Sequence, residues 1–525
     1  MLLFTLLATF TACQSRKQTD STPNTFPTNS QTASQLTGKQ LATAYCGSCH
    51  LLPEPTLLTK SIWQDRVLPH MALRLGFSVD SISPFMVISD PDEINRVIQS
   101  GAFAGTQLVH IDDWKKIVQY YTDNAPARPL PPLAKPAVSV GLPLFTLHYP
   151  PKPLQASITL LRYNAGSHEL LAGTGQGKLL KLNQQLQVVD SVSVGSTPTD
   201  CRVRADGTID VLTAGNMEPN DQLIGKWQSV RFPGQANTAK PTAPQTFIEQ
   251  LGRPVSAAYG DLSQDGQEDV VVCQFGNYTG QLSWFERRGT TYFQHILDPV
   301  PGARRAIIED VNRDGRPDVV ALLSQGDEQI AVYYNDGGGR FTKNVVLRFP
   351  SVYGSSYFDL TDMDRDGDLD ILYTNGDNGD HSYSLKAYHG VRVFTNDGHF
   401  KFKETLFYPL FGAAQAVARD FDQDGDIDIA AISFFPNYDQ KPVESFVYLE
   451  NEGSFKMKAR TFPQPEQGHW MVMEAADVDH DGDDDLLLGS FSRAITPTPK
   501  PLLKQWYTSG KGILLLTNQK RQPGN

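Results

Sequence analysis

The sequence predicts a multidomain chain, with a small all-α domain near the N-terminus and an all-β propeller of seven blades after it. Three observations predict this. A nine-residue acidic loop recurs five times, at intervals of about 50 residues. Short apolar β-type runs flank every copy. Ahead of the repeats, apolar residues fall at helical spacing, as in Trp114, Ile117, Val118 and Tyr121.

At 525 residues the chain is too long for one ordinary domain. Its 35 prolines and 42 glycines, with abundant Tyr and Phe, favour turns and strands over long helices. The formal charge is -12 with no basic stripe, which excludes nucleic acid as a partner.

Leu2 to Phe10 is apolar, and the small residues Thr11 and Ala12 precede Cys13; no Lys or Arg stands before the run. The pattern resembles a bacterial lipoprotein signal over residues 1–13. That resemblance implies export, lipidation of Cys13, and a membrane-anchored protein facing the periplasm or the cell surface. Residues 14–37 are rich in Ser, Thr, Gln, Asn and Pro, as expected of a flexible tether.

Tyr45-Cys46-Gly47-Ser48-Cys49-His50 contains C-x-x-C-H. Two thiols two residues apart can add to the two vinyl groups of haem, and the adjacent histidine reaches the iron. A thioredoxin-like site would want a βαβ context, and a zinc site a second ligand pair; neither is visible. Helices are expected over Leu36–Tyr45, over Trp63–Leu75 with an interruption near Pro69, over Asp90–Gln99 and over Asp112–Tyr121. With the motif, these resemble a small single-haem cytochrome c domain over residues 38–125, which implies one covalent haem c held by Cys46, Cys49 and His50. Cytochromes of this kind often add a downstream methionine as sixth ligand. Met71 is the first candidate; His70, Met86 and His110 are the alternatives. Residues 126–140 form a Pro-rich linker.

The acidic loop follows D-x-[DNS]-x-D-G-x-x-D. Its oxygen-bearing positions are Asp261, Ser263, Asp265 and Asp269; Asp310, Asn312, Asp314 and Asp318; Asp362, Asp364, Asp366 and Asp370; Asp420, Asp422, Asp424 and Asp428; and Asp477, Asp479, Asp481 and Asp485. Successive copies begin 49, 52, 58 and 57 residues apart. Oxygens at positions 1, 3 and 5 can converge, glycine at 6 permits a sharp turn, and Asp at 9 completes a hard-cation cage suited to calcium. Crowding three or four carboxylates without a cation is costly. Five such ions would supply about +10 against the -12. No Glu stands at position 12, and strands flank the loops, so these are not EF-hands.

Each copy carries four strand candidates, in one case 356–360, 370–374, 391–395 and 400–406, with an Asn-Asp-Gly hairpin signal between the last two. Two weaker units precede the five, one keeping Ala205-Asp206-Gly207 and Asp210, the other keeping only the strand rhythm. Two and five make seven blades. The last lacks an outer strand, and Leu144–Tyr149 is placed to supply it. Residues 141–520 resemble the FG-GAP (VCBS-type) propellers, best known from integrin α subunits, which implies calcium at the loops but not adhesion. Cys201 and Cys273 can be a disulfide or two buried thiols.

Three functions follow. The first is an electron-transfer protein whose propeller docks a redox partner protein. The second is a propeller oxidoreductase, for example on sugars, feeding the haem, with His381, His389, His469, Trp470 and Tyr438 as candidates; it needs a second cofactor, since haem does not readily accept a hydride. The third is a surface module binding a glycan, a protein or a small molecule.

Overall fold

The computed structural model describes residues 32–78, 88–235, 244–379, 383–492 and 498–519. Cys13, Met86 and His381 lie outside the described residues. Among the described residues, no helix is long and apolar enough to cross a membrane.

Seven sheets form a β-propeller. Five blades are antiparallel meanders of four strands, spanning residues 158–193, 198–251, 254–298, 303–348 and 355–409. The sixth spans 413–461 and gains a fifth strand, Ser139–Val140, which pairs parallel with Met457–Thr461. The linker expected there hides it, because two residues carry no periodicity. The seventh takes three strands from 470–518 and its outer strand from Phe145–His148, antiparallel to Ile513–Asn518. The first strand of every blade touches those of both neighbours, and the seventh meets the first. The ring is therefore closed, as the sequence predicts.

The repeat is visible in the packing. The second strands Asp269–Gln274, Asp318–Leu323, Asp370–Asn375, Asp428–Ser433 and Asp485–Ser490 are buried at every residue. Neighbouring blades cover both of their faces, which accounts for continuous runs such as Val270-Val271-Val272. Seven apolar clusters fill the seven blade junctions. Cys201 lies in the junction of blades one and two and Cys273 in that of blades three and four; both are free, buried thiols.

Between residues 38 and 124 the described regular structure is helical. Gly38–Tyr45 starts from a capping box between Thr37 and Gln40, and Pro91–Gln99 starts from Asp90, whose side chain accepts from Asp92 N. His110 caps Ile111–Asn124, accepting from Asp112 N through Nδ1 at 3.2 Å. Pro69 does not break its helix. A π turn over Trp63–Val67 comes first, and Leu68 N–H bonds to the Trp63 carbonyl five residues back, so Pro69 enters near the start of Leu68–Arg74, where its missing N–H costs little. The helices share a core of Leu41, Trp63, Leu68, Trp114, Ile117 and Tyr121.

This helical part is docked on the propeller through Asp221, which is fully buried. The Asp221 carboxylate accepts from the N–H groups of Asn277, Tyr278 and Thr279 at 2.6–3.1 Å. Its own N–H donates to Glu93 Oε1 at 2.7 Å, and its carbonyl accepts from Arg96 Nε at 3.1 Å. Tyr278 meets Phe103, and Val352 packs on the helical core. Residues 221 and 278 join second to third strands, and 352 joins a fourth strand to the next first. The acidic loops join first to second strands. Successive strands are antiparallel, so helices and acidic loops occupy opposite faces of the ring.

Asp221→Ala orphans three backbone donors and should cost about 2–4 kcal/mol in urea unfolding. It should also speed proteolysis within 126–138. Unchanged values for both would remove Asp221 as the docking key.

Candidate functional site

All five acidic loops adopt one backbone shape. The glycine at position 6 has φ of 82° (Gly266, Gly315), 96° (Gly367), 103° (Gly425) and 94° (Gly482). At Gly266, Gly315, Gly367 and Gly425 no atom beyond the chain neighbours lies within 4 Å of a Cβ built there, so glycine is required by conformation and not by space. The first-position Asp accepts from that glycine's N–H at 2.8–3.2 Å in every copy. The ninth-position Asp is buried and accepts from the N–H of a residue near or at the end of the third strand: Arg287, Asn335, Asn396, Asn451 and Asn518, at 2.7–2.8 Å. In four copies its other oxygen accepts the loop's position-2 N–H. In the fourth copy, Asp428, it accepts from Tyr448 OH.

Three copies gather carboxylates. Oxygens of Asp362, Asp364 and Asp370, of Asp420, Asp422 and Asp424, and of Asp477, Asp479 and Asp481 lie within 4.8 Å of one another in each set. Oδ1 of Asp420 and Oδ1 of Asp477 are buried without a hydrogen-bond donor. An oxygen placed so among like charges fits a cation in place of a donor. Burial, helped by neighbouring carboxylates, pushes Asp370 up to about 6 and Asp428 and Asp485 up to about 7. The donor set is all oxygen, which suits a hard divalent ion such as calcium. In the first two copies the third-position oxygen comes from Ser263 and Asn312.

The second blade solves the same problem without such a cluster. Counting back from Asp210, positions 3 and 1 are Arg204 and Arg202. Their Nε atoms lie 2.8 and 3.0 Å from Asp210 Oδ2. Two guanidinium groups stand where later blades put carboxylates.

Neighbouring loops are linked. The residue at position 4 takes a left-handed conformation in every copy, with φ of 60° (Gln264), 58° (Arg313), 60° (Arg365), 57° (Gln423) and 68° (His480). Its side chain reaches the next loop: Gln264 to Gly315 O, Arg313 to Gly367 O and Asp368, Arg365 to Asp420, Gln423 to Gly482 O. His480 continues across the closure to Tyr163 OH and the ring of His168.

On the opposite face, Cys46–Ser48 is a single 3-10 turn, closed by Cys49 N–H on Cys46 O. Cys46 and Cys49 are free thiols, Cys49 exposed. Burial pushes the Cys46 thiol up to about 12, which does not suit a thiolate redox or zinc centre. His50 Nδ1 lies 3.1 Å from Leu51 O, so the Nδ1–H tautomer leaves the Nε2 lone pair free. Burial lowers the His50 pKa, and Asp327 and Arg348 of the propeller act on it. Cys46 and Met71 pack against the same helical core.

The other candidates are packing residues. His469 is stacked between Phe434 and Trp506, at centroid distances of 3.8 and 4.4 Å, with its ring nitrogens at the carbonyls of Phe491 and Phe434. Trp470 is buried and donates to Pro465 O. His389 is buried and held neutral by burial. Tyr438 is largely buried beside Trp506.

Residues 261–321 and 310–373 match a model of the FG-GAP-like repeat. Each match begins at an acidic loop and ends in the second strand of the next blade. No curated protein matches the sequence. Among solved structures, the chain resembles the WD40 domain of Neurospora crassa Pan2, with 10% identity and a TM-score of 0.43 over 74% of this chain and 100% of that one. It also resembles the β-propeller domain of Myceliophteria thermophila Cps50 (Swd1), with 12% identity and a TM-score of 0.42 over 71% of this chain and 100% of that one. Residues 261–373 thus carry FG-GAP-like repeats, set in a seven-bladed propeller.

Proposed function

We propose that this protein is an exported, lipid-anchored electron carrier of the cell envelope. One haem c is held by Cys46, Cys49 and His50, and a calcium-stabilised propeller docks the redox partner. The observation that carries the reading is the Cys46–His50 turn. Two unpaired thiols and an imidazole come from one turn of chain, and the imidazole's second nitrogen is anchored on a carbonyl. Metal-bound histidines are oriented in this way. The protonated Cys46 suits thioether formation better than metal binding. Haem held there supplies a one-electron couple. The chain's part is to orient the imidazole through Leu51 O, to exclude water with the Trp63–Tyr121 core, and to offer Met71 as sixth ligand. Export follows from the Leu2–Cys13 pattern.

The oxidoreductase reading loses its strongest residue, since His469 is engaged at both nitrogens. Recognition of a glycan or another ligand by the propeller alone remains the competing reading, because the FG-GAP-like loops suit a docking module with or without a redox group.

Protein matured with a c-type haem attachment system should show a sharp reduced-minus-oxidised α band that survives denaturation, and a reversible midpoint potential. Cys46→Ser with Cys49→Ser should abolish the covalent pigment. Wild-type protein without covalent haem would leave recognition as the function.

Calcium should raise Tm, and the gain should grow with pH. Without calcium, Asp370, Asp428 and Asp485 keep their protons up to about pH 6 to 7 in the folded chain, whereas the unfolded chain loses them near the ordinary aspartate value of 3.8. The calcium-free form is therefore most stable at acid pH and loses stability as pH rises through 6 to 7. A chelator should lower Tm far more at pH 8 than at pH 5. An equal effect at both would separate these carboxylates from the metal.

A further inference from the structure

The seam between helices and propeller holds a cation that forms no ion pair among the described residues. Arg74 ends the helix that carries Met71, three residues later and on the same face. Its guanidinium lies 4.9 Å from the ring centre of Phe103 and 5.2 Å from that of Tyr278, which belongs to the propeller. Its one hydrogen bond among the described residues is from Nη1 to Ala102 O, at 2.9 Å, and no carboxylate there forms an ion pair with it. The carboxylate that acts on it, Asp221, is already engaged by three backbone N–H groups. Cys49 acts on Arg74 as well, and burial holds its pKa below the usual guanidinium range.

A desolvated guanidinium with no anion is costly, and a site that keeps one is built for an anion that arrives with a ligand. The same seam bears the other propeller groups near the thiol-imidazole turn. Val352 packs on the core that holds Cys46 and Met71, and Asp327 and Arg348 act on His50.

We propose that the haem pocket is shared between the two parts of the chain: Arg74, seated between Phe103 and the propeller's Tyr278, receives a carboxylate of the prosthetic group. This rests on the haem reading above. The propeller is then a wall of the redox site, and one of its loops, about 230 residues from the motif in sequence, helps set the potential.

The test compares haem-loaded full-length wild type with Arg74→Gln, Arg74→Lys and Tyr278→Ala, read as midpoint potential and α-band position. Arg74→Gln should shift the potential downward, because loss of a nearby cation favours the oxidised, more positive iron. Arg74→Lys should restore much of it. Tyr278→Ala, which frees the cation from its seat, should also shift it. Should Arg74→Gln fail to accumulate, Tyr278→Ala and Arg74→Lys carry the same comparison. A lowered Tm with the wild-type potential in the variants would make Arg74 a structural clamp and overturn the proposal. Absence of covalent haem from the wild type would instead end the reading beneath it, before any variant is compared.

Discussion

A buried carboxylate at the start of the second strand organises each acidic loop. Asp269, Asp318, Asp370, Asp428 and Asp485 are at most 1% exposed, a placement that is tolerable only with full hydrogen bonding. Each takes a donor from the end of the third strand, and all but Asp428 take another from the loop's second residue. The loop is thereby pinned to the blade at its entry and across the sheet. The left-handed turns at positions 4 and 6 let the chain close in the residues that remain. Position 9 thus shapes the loop, and positions 1, 3 and 5 present the charge. The second blade separates the two roles. It keeps the buried Asp210 but puts Arg202 and Arg204 at positions 1 and 3, so internal cations serve where later blades leave room for an ion.

The left-handed fourth position has a consequence at the scale of the ring. It turns its side chain away from its own cage and toward the next loop, so five local turns become a linked series. Between the seventh blade and the first, His480 keeps the series going. The ion pair of Arg162 with Glu474 joins the first strands of the same two blades.

Much of this was legible in the sequence because it repeats. Asp and Gly at fixed spacing gave the loops, the flanking Val and Ile runs gave the second strands, and a missing outer strand pointed to 144–149. What was not legible lacks a period. The fourth position holds Gln, Arg or His, none of which announces a left-handed turn as glycine would. The docking of helices on propeller rests on Glu93 and Asp221, which are 128 residues apart and tied by a side chain on one partner and backbone on the other. The π turn before Pro69 depends on how Trp63 packs, and no local pattern encodes that. The C-x-x-C-H turn is the reverse case. Its chemistry is plain in five letters, but its surroundings come from loops of distant blades.

Those surroundings also settle how the two faces relate. A second strand of six residues spans about 20 Å, roughly two Debye lengths across physiological solvent. Asp318 opens such a strand on the acidic face, and a few residues past its far end stands Asp327, one of the groups that act on His50. A cation at the loop is too far to act on the imidazole through solvent. What passes between the faces is rigidity: a strand fixed at Asp318 and buried along its whole length presents Asp327 in one place. The acidic loops therefore matter to the thiol-imidazole turn by keeping the wall opposite it still.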